Sequence, residues 1–132
     1  MSGHSDCEHR CPIETTLDVL GGKWKSMVLH RLLYGTMRFG ELKRLIPPVT
    51  QRMLTRQLRE LERDGVIHRK VYAEVPPKVE YSLTSVGLSL KPILLMMSDW
   101  GEQYQDQLAN LKVDQNHRHA ARGQRGVPSP AA

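Results

Sequence analysis

The 132-residue sequence predicts an α+β fold, mainly helical, from three observations. Apolar residues recur at helical spacing up to about residue 64 and again beyond residue 84. Between those stretches the pattern changes to strict alternation, the period of a strand. Glycine or proline punctuates nearly every junction.

Taken in order, the first ten residues are polar and expected to be flexible. Pro12 then opens a short helix through about Leu20, because proline's missing N–H costs nothing at the first helical position. Gly21-Gly22 ends it. A second helix is expected from about Lys23 to Tyr34, with Trp24, Met27, Val28, Leu32 and Leu33 on one face and Gly35 as its stop. Met37-Arg38-Phe39 reads as short and extended. Gly40 through Leu45 reads as one or two helical turns that carry Leu42, Leu45 and Ile46 inward.

Pro47-Pro48 breaks the chain sharply. Thr50 is a good N-cap for a helix that reaches about Asp64 and is stopped by Gly65. Met53, Leu54, Leu58 and Leu61 form its apolar stripe, which leaves Gln51, Arg52, Thr55, Arg56 and Arg59 largely outside. Residues 66–72 and 78–83 alternate and are joined by Ala73-Glu74-Val75-Pro76-Pro77, a β-hairpin. Thr84 caps a last helical region, Ser85 to about Leu111, which Pro92 should kink or restart. From Lys112 the apolar period is lost, so 112–132 is expected to be a disordered basic tail. The single domain then covers 11–111.

Helix, helix, short strand, helix, sharp turn, helix, hairpin, helix is the winged helix-turn-helix order, with a two-stranded wing and flanking N- and C-terminal helices. Its physical point is the helix from Thr50. A rod of some 14 residues is about 20 Å long, and a major groove about 12 Å wide admits one such rod. The apolar stripe fixes the rod to the domain, while Thr50, Gln51, Arg52, Thr55, Arg56 and Arg59 are free to meet a duplex. Arginine can read guanine through two hydrogen bonds and glutamine can read adenine. Arg69, Lys70 and Lys78 place positive charge on the hairpin, suited to phosphate. The alternative there is ordinary strand charge, including a cross-strand pair with Glu80.

Charge agrees with this reading. The chain carries a net +5, and residues 38–78 hold ten lysines and arginines against five carboxylates. That balance suits a polyanionic partner. No apolar run approaches the roughly 18–20 residues of a membrane span, and the start Met1-Ser2-Gly3-His4-Ser5-Asp6 lacks a signal-peptide core. A cytoplasmic protein without membrane association is expected. There is no glycine-rich phosphate loop, no paired carboxylates in a plausible cleft and no Ser-His-Asp order, so neither an enzyme nor a cofactor is expected. A winged helix that binds protein is the competing class; the polar residues Gln51, Arg52, Thr55 and Arg56 argue against it.

Several ordered segments make the chain similar to a known family. They are Cys11-Pro12-Ile13-Glu14, Gly21-Gly22-Lys23-Trp24, Arg38-Phe39-Gly40-Glu41-Leu42, Met53-Leu54-Thr55 with Leu58, Leu61 and Gly65, the run from Val75 to Thr84, and Trp100-Gly101. Over about residues 11–104 the chain resembles the HxlR-type bacterial regulators, winged-helix relatives of the MarR group. It departs in the turn, where Pro48 stands in place of a small residue. The resemblance implies a homodimer on double-stranded operator DNA, with the helix from Thr50 as recognition helix. In some members a cysteine directly before the proline of the first helix senses oxidants or electrophiles, and Cys11 occupies that place.

The chemistry of that position is reasonable in itself. A thiol at a helix N-cap meets free N–H groups and the positive end of the dipole, and Arg10 adds charge nearby. A small thiol that merely packs is the alternative, and Cys7 is either a resolving partner or without a role. His4, Cys7, His9 and Cys11 also offer four zinc ligands, but no second pair supports a finger, so no metal is expected. His117 and His119 offer still less. Ile93, Met97, Trp100, Tyr104, Leu108 and Leu111 recur at spacings of three and four, the seam of a helix that pairs with another. The expected use is the dimer interface. The inducer, whether small molecule or oxidant, is not legible in these residues.

Overall fold

The computed structural model describes residues 10–126, with the order α1 (Pro12–Leu20), α2 (Lys25–Leu32), β1 (Met37–Arg38), α3 (Phe39–Leu45), α4 (Gln51–Arg63), β2 (Ile67–Tyr72), β3 (Lys78–Leu83), α5 (Ser85–Leu88) and α6 (Lys91–Gly126). The chain divides into two compact units between Leu94 and Leu95.

In the first unit the elements follow the sequence pattern closely, and the fold is α+β, mainly helical. Cys11 is the N-cap of α1 and Pro12 its first residue. Gly21 ends α1 where nothing larger fits, since a Cβ there would lie 2.2 Å from the Leu17 carbonyl oxygen. Trp24 serves as N-cap to α2, which is therefore shorter at both ends than expected. The Glu41 carboxylate accepts the Arg38 N–H at 3.2 Å and so satisfies an orphan donor at the start of α3.

The core is built chiefly by α2, α3 and α4: Val28, Leu29, Leu42, Leu54 and Leu61 have no exposed surface. Each such side chain contributes about 1.5–3 kcal/mol on burial. Leu45 does not join them and is 40% exposed. It closes a seven-residue helix, and the chain turns inward only afterwards, at buried Ile46. Met27 likewise faces outward.

The hairpin gains a strand. β1 pairs with β3 through Met37 opposite Tyr81 and Arg38 opposite Glu80, giving an antiparallel sheet of order β1-β3-β2. The expected short extended segment is thus the third strand beside the two-stranded wing. Register in the wing runs from Ile67 opposite Leu83 to Tyr72 opposite Lys78.

Pro92 restarts the helical region as expected: α5 stops at Leu88 and α6 begins at Lys91. The second unit, from Leu95, consists of the body of α6. This helix continues to Gly126, whereas loss of the apolar period at Lys112 predicted disorder. Apolar periodicity reports burial, not helicity. Residues 112–122 contain no proline or glycine and are rich in Lys, Arg, Gln and Ala, which favour helix in the absence of packing. Residues 1–9 and 127–132, including much of the expected flexible start, lie outside the described residues.

Candidate nucleic-acid interface

Both ends of α4 are closed by local hydrogen bonds. The Thr50 hydroxyl accepts the Met53 N–H at 3.1 Å. At the far end the Gly65 N–H bonds the Glu62 carbonyl (3.0 Å) and the Val66 N–H bonds the Leu61 carbonyl (3.2 Å). This is a Schellman closure with Gly65 at φ +78°, a conformation that favours glycine, and with Leu61 and Val66 both buried. The result is a rigid rod of 13 residues, about 20 Å long.

Its two faces differ sharply. At about 100° per residue, Leu54, Leu58 and Leu61 share an arc of about 60°, and Arg52, Arg56, Arg59 and Arg63 share a similar arc opposite. The first set is buried and the second exposed. Gln51 is exposed beside the arginines. Thr55 is half-buried and its hydroxyl donates to the Gln51 carbonyl at 2.8 Å, which leaves only acceptor capacity for a ligand. Arg63 was not among the expected contacts, although its spacing of four from Arg59 signals it.

Among the described residues, Glu60 is the single carboxylate of α4 that pairs across elements. It meets Lys25 of α2 at 3.0 Å and Arg56 at 3.5 Å. Lys25 above all, and then Arg56, hold its carboxyl below the usual range against the opposing effect of partial burial. The pair fastens α4 to α2 and orients one arginine. Nothing in the local sequence marks it, because the partners are 35 positions apart.

The wing cations divide between the two faces of the sheet. Strand alternation places Lys70, Tyr72, Lys78 and Glu80 on one face and Arg69 on the other, opposite Tyr81. The Lys70 and Lys78 ammonium groups each sit 4.8 Å from the centre of the Tyr72 ring. Lys78 also approaches Glu80 at 3.7 Å along its own strand, while Lys70 is the cross-strand neighbour of Glu80. The Glu80 carboxyl is held below its usual range, foremost by the Tyr72 hydroxyl and further by Lys78, Arg38 and Lys70. Two wing lysines are therefore partly compensated within the protein, and Arg69 is exposed without such partners among the described residues.

Cys11 is exposed at the N-cap of α1, where its carbonyl accepts the Glu14 N–H at 2.9 Å. Arg10 is ion-paired with Asp18, so its charge is already matched rather than offered to the thiol. Cys7, His4 and His9 lie outside the described residues. In the second unit, Met97, Trp100 and Tyr104 are exposed along one face of α6 and Leu108 is half-buried. The Trp100 and Tyr104 rings stack at 5.0 Å. Ile93, in the first unit, is also exposed.

Comparison with known proteins agrees with this architecture. A model of HxlR-like helix-turn-helix proteins matches residues 19–109. The chain is 60% identical over 109 residues to the uncharacterized HTH-type transcriptional regulator YdeP of Bacillus subtilis, covering 83% of this chain and 85% of that one. Among solved structures it is similar to the redox regulator HypR in its reduced form, at 56% identity and a TM-score of 0.73 over 76% of this chain and 99% of that one. The reduced transcriptional regulator YodB of B. subtilis matches at 36% identity and a TM-score of 0.63, over 72% and 94% of the two chains. The chain belongs to the HxlR-like helix-turn-helix family.

Proposed function

We propose that this protein is a sequence-specific DNA-binding transcriptional regulator that acts in the cytoplasm as a homodimer on double-stranded operator DNA. The carrying observation is α4: a capped rod with Arg52, Arg56, Arg59 and Arg63 along the face opposite its buried leucines. Thr50, Gln51, Arg52, Thr55, Arg56 and Arg59 meet the major groove, with Arg69, Lys70 and Lys78 on the flanking phosphates. The relatives' designation as HTH-type transcriptional regulators supports this reading.

Dimerisation uses the apolar face of α6. Trp100 is 66% exposed in the single chain. A run of large apolar side chains left in water favours a partner surface, and a second copy supplies the same seam. Two recognition helices then read half-sites about 34 Å apart, or a multiple of that.

Cys11 is the group through which oxidants or electrophiles act. Its exposure and its place before Pro12 support this, as does similarity to HypR, described as a redox regulator and solved in oxidised and reduced forms. Selection of duplexes from a random pool by the reduced protein tests the central proposal. An inverted repeat is expected; a pool without enrichment overturns it.

A further inference from the structure

Two apolar residues that helical spacing assigns to the interior are not buried: Met27 is 45% exposed and Leu45 40% exposed. Both border the same space. A cavity of about 240 Å³ lies within the first unit, walled by Trp24 and Met27 on the side of α2 and by Leu45, Ile46, Pro47 and Pro48 on the side of the turn after α3. That volume equals about eight waters at liquid density. Ordered water needs several polar partners, which these walls do not supply. The turn itself is held in place. The Lys43 ammonium donates to the Pro47 carbonyl at 3.3 Å, and the Val49 N–H bonds the Ile46 carbonyl at 3.1 Å.

The rim of the cavity has a different character. Arg31 and His30 line it, and no carboxylate does. His30 is held edge-on against Tyr34, with ring centres 5.7 Å apart. Arg31 is half-buried, and among the described residues no ion pair involves it. The half-buried lysines Lys25 and Lys78, by contrast, are paired with Glu60 and Glu80. A guanidinium partly withdrawn from water gains from an anionic partner, and it engages a carboxylate through two parallel hydrogen bonds. Apolar walls beside such a group define the complementary ligand: one acid group on a small hydrocarbon body.

We propose that this cavity is an effector site for small apolar monocarboxylates, with the hydrocarbon body between Trp24, Met27 and Leu45 and the acid group on the Arg31 guanidinium. Thr50, the N-cap of α4, stands two residues after Pro48. A ligand that bridges Arg31 and Pro48 therefore ties α2 to the segment that sets where α4 begins. Occupancy changes duplex affinity to the extent that the ligand binds one arrangement of this turn better than another. That consequence, unlike the site, rests on the DNA-binding reading of α4.

The probes are benzoate and 4-methylpentanoate at constant ionic strength, with neutral benzamide as control. The chain has two tryptophans, Trp24 and Trp100, so their indole N–H signals in a proton–nitrogen spectrum read occupancy, and Trp24→Phe assigns them. A saturable shift of the Trp24 signal is expected by about 10 mM of at least one acid. Benzoate should bind the wild type at least about 10-fold tighter than benzamide, the worth of one charge-assisted hydrogen bond. Arg31→Gln should bring that ratio to about one, whereas Arg31→Lys, which keeps the charge, should retain most of it.

Absence of a saturable shift with both acids overturns the site, and so does equal binding of benzoate and benzamide. A shift confined to Trp100 places the ligand elsewhere and overturns it as well. With the site filled, operator affinity should change at least about 5-fold; unchanged affinity overturns the effector role. A chain that binds no duplex overturns the proposed function and the effector role together, and the Trp24 shift, measured without DNA, still decides the site.

Discussion

The hydroxyl of Thr84 donates to the carbonyl of Gly65 at 2.7 Å, joining the end of the hairpin to the residue that terminates α4. The same oxygen accepts the Gly87 N–H at 3.1 Å, and the Thr84 N–H bonds the Val66 carbonyl at 3.1 Å. Gly87 packs directly against this junction: a Cβ there would lie 2.0 Å from the Val66 oxygen. Three short elements are thus clamped at one point. The angle between rod and wing depends on it.

Loosening that clamp should cost both stability and binding. Thr84→Val removes the hydroxyl and leaves Gly65 and Gly87 without a partner, a loss of about 1–2 kcal/mol. Gly87→Ala forces a shift of the backbone and should cost about 1–3 kcal/mol. Thr84→Ser should be close to wild type. Urea unfolding gives the stability, and operator affinity of the folded variants should fall further for Gly87→Ala than for Thr84→Val. A Gly87→Ala protein as stable as wild type would refute the clamp.

The Lys25–Glu60 pair gives stability a defined dependence on pH. Glu60 has a folded-state pKa below its unfolded value. Its contribution is therefore complete above the ordinary carboxylate value of about 4.3 and is lost as pH falls through the lower folded value. The side chains are only 12% and 27% exposed, so the pair is screened less than a surface one. Glu60→Gln should cost about 1 kcal/mol at neutral pH. That difference should vanish in acid, because the wild-type carboxyl is then neutral too. Thermal unfolding of both proteins from neutral pH down through the carboxylate range checks this; a constant gap would remove the pair from the account.

Much of this architecture is legible in the sequence because it is local. Pro12, Thr50, Gly65 and the alternation from Val66 to Leu83 each act on their neighbours, and the structure places helix starts, stops and strands accordingly. The arginine face of α4 is legible for the same reason, Arg63 included. What escapes local pattern is tertiary. The pairing of β1 with β3, the Lys25–Glu60 bridge and the Thr84–Gly65 clamp join residues 19 to 44 positions apart. The persistence of α6 beyond Leu111 escaped for the opposite reason. Its helicity is intrinsic to Lys, Arg, Gln and Ala and leaves no apolar stripe.

Readout at the interface should separate by element. Arg52→Ala or Arg56→Ala should cost about 1–3 kcal/mol on the selected operator if the arginine meets a base, and should relax preference at one position per half-site. Lys70→Ala or Lys78→Ala should weaken all duplexes alike. Glu80→Gln removes the carboxylate that competes for those lysines, so it should strengthen binding to scrambled DNA and steepen its salt slope. Titrations of operator and scrambled duplexes at several salt concentrations measure all five variants. Wild-type behaviour of both arginine variants would misplace the recognition helix.

The apolar face of α6 should carry the dimer. Trp100→Glu places a charge in the proposed seam and should raise the dimer dissociation constant at least 100-fold, about 2.7 kcal/mol. Sedimentation at micromolar concentration reads it directly. A wild-type chain that is monomeric there, yet binds its operator normally, would sink the dimer.

The thiol switch is constrained by arithmetic. The chain has two cysteines, both before Pro12. Any protein disulfide must therefore join Cys7 to Cys11 or link the N-terminal segments of two copies; otherwise a small thiol caps one sulfur. A cross-link between copies would act on their relative orientation and so on the spacing of the two recognition helices. Oxidant should then change operator affinity in the wild type, and Cys11→Ser should abolish the change for every route that passes through the Cys11 sulfur. Cys7→Ser distinguishes the routes, because it removes a Cys7–Cys11 bridge but leaves a Cys11–Cys11 bridge or a mixed disulfide at Cys11 intact. Non-reducing electrophoresis separates the last two by mass. The Cys11 thiol pKa, measured alongside, shows whether the N-cap position supplies the thiolate that exchange requires, since Arg10 is already paired with Asp18. Unchanged affinity after complete modification of both thiols would make Cys11 a structural residue.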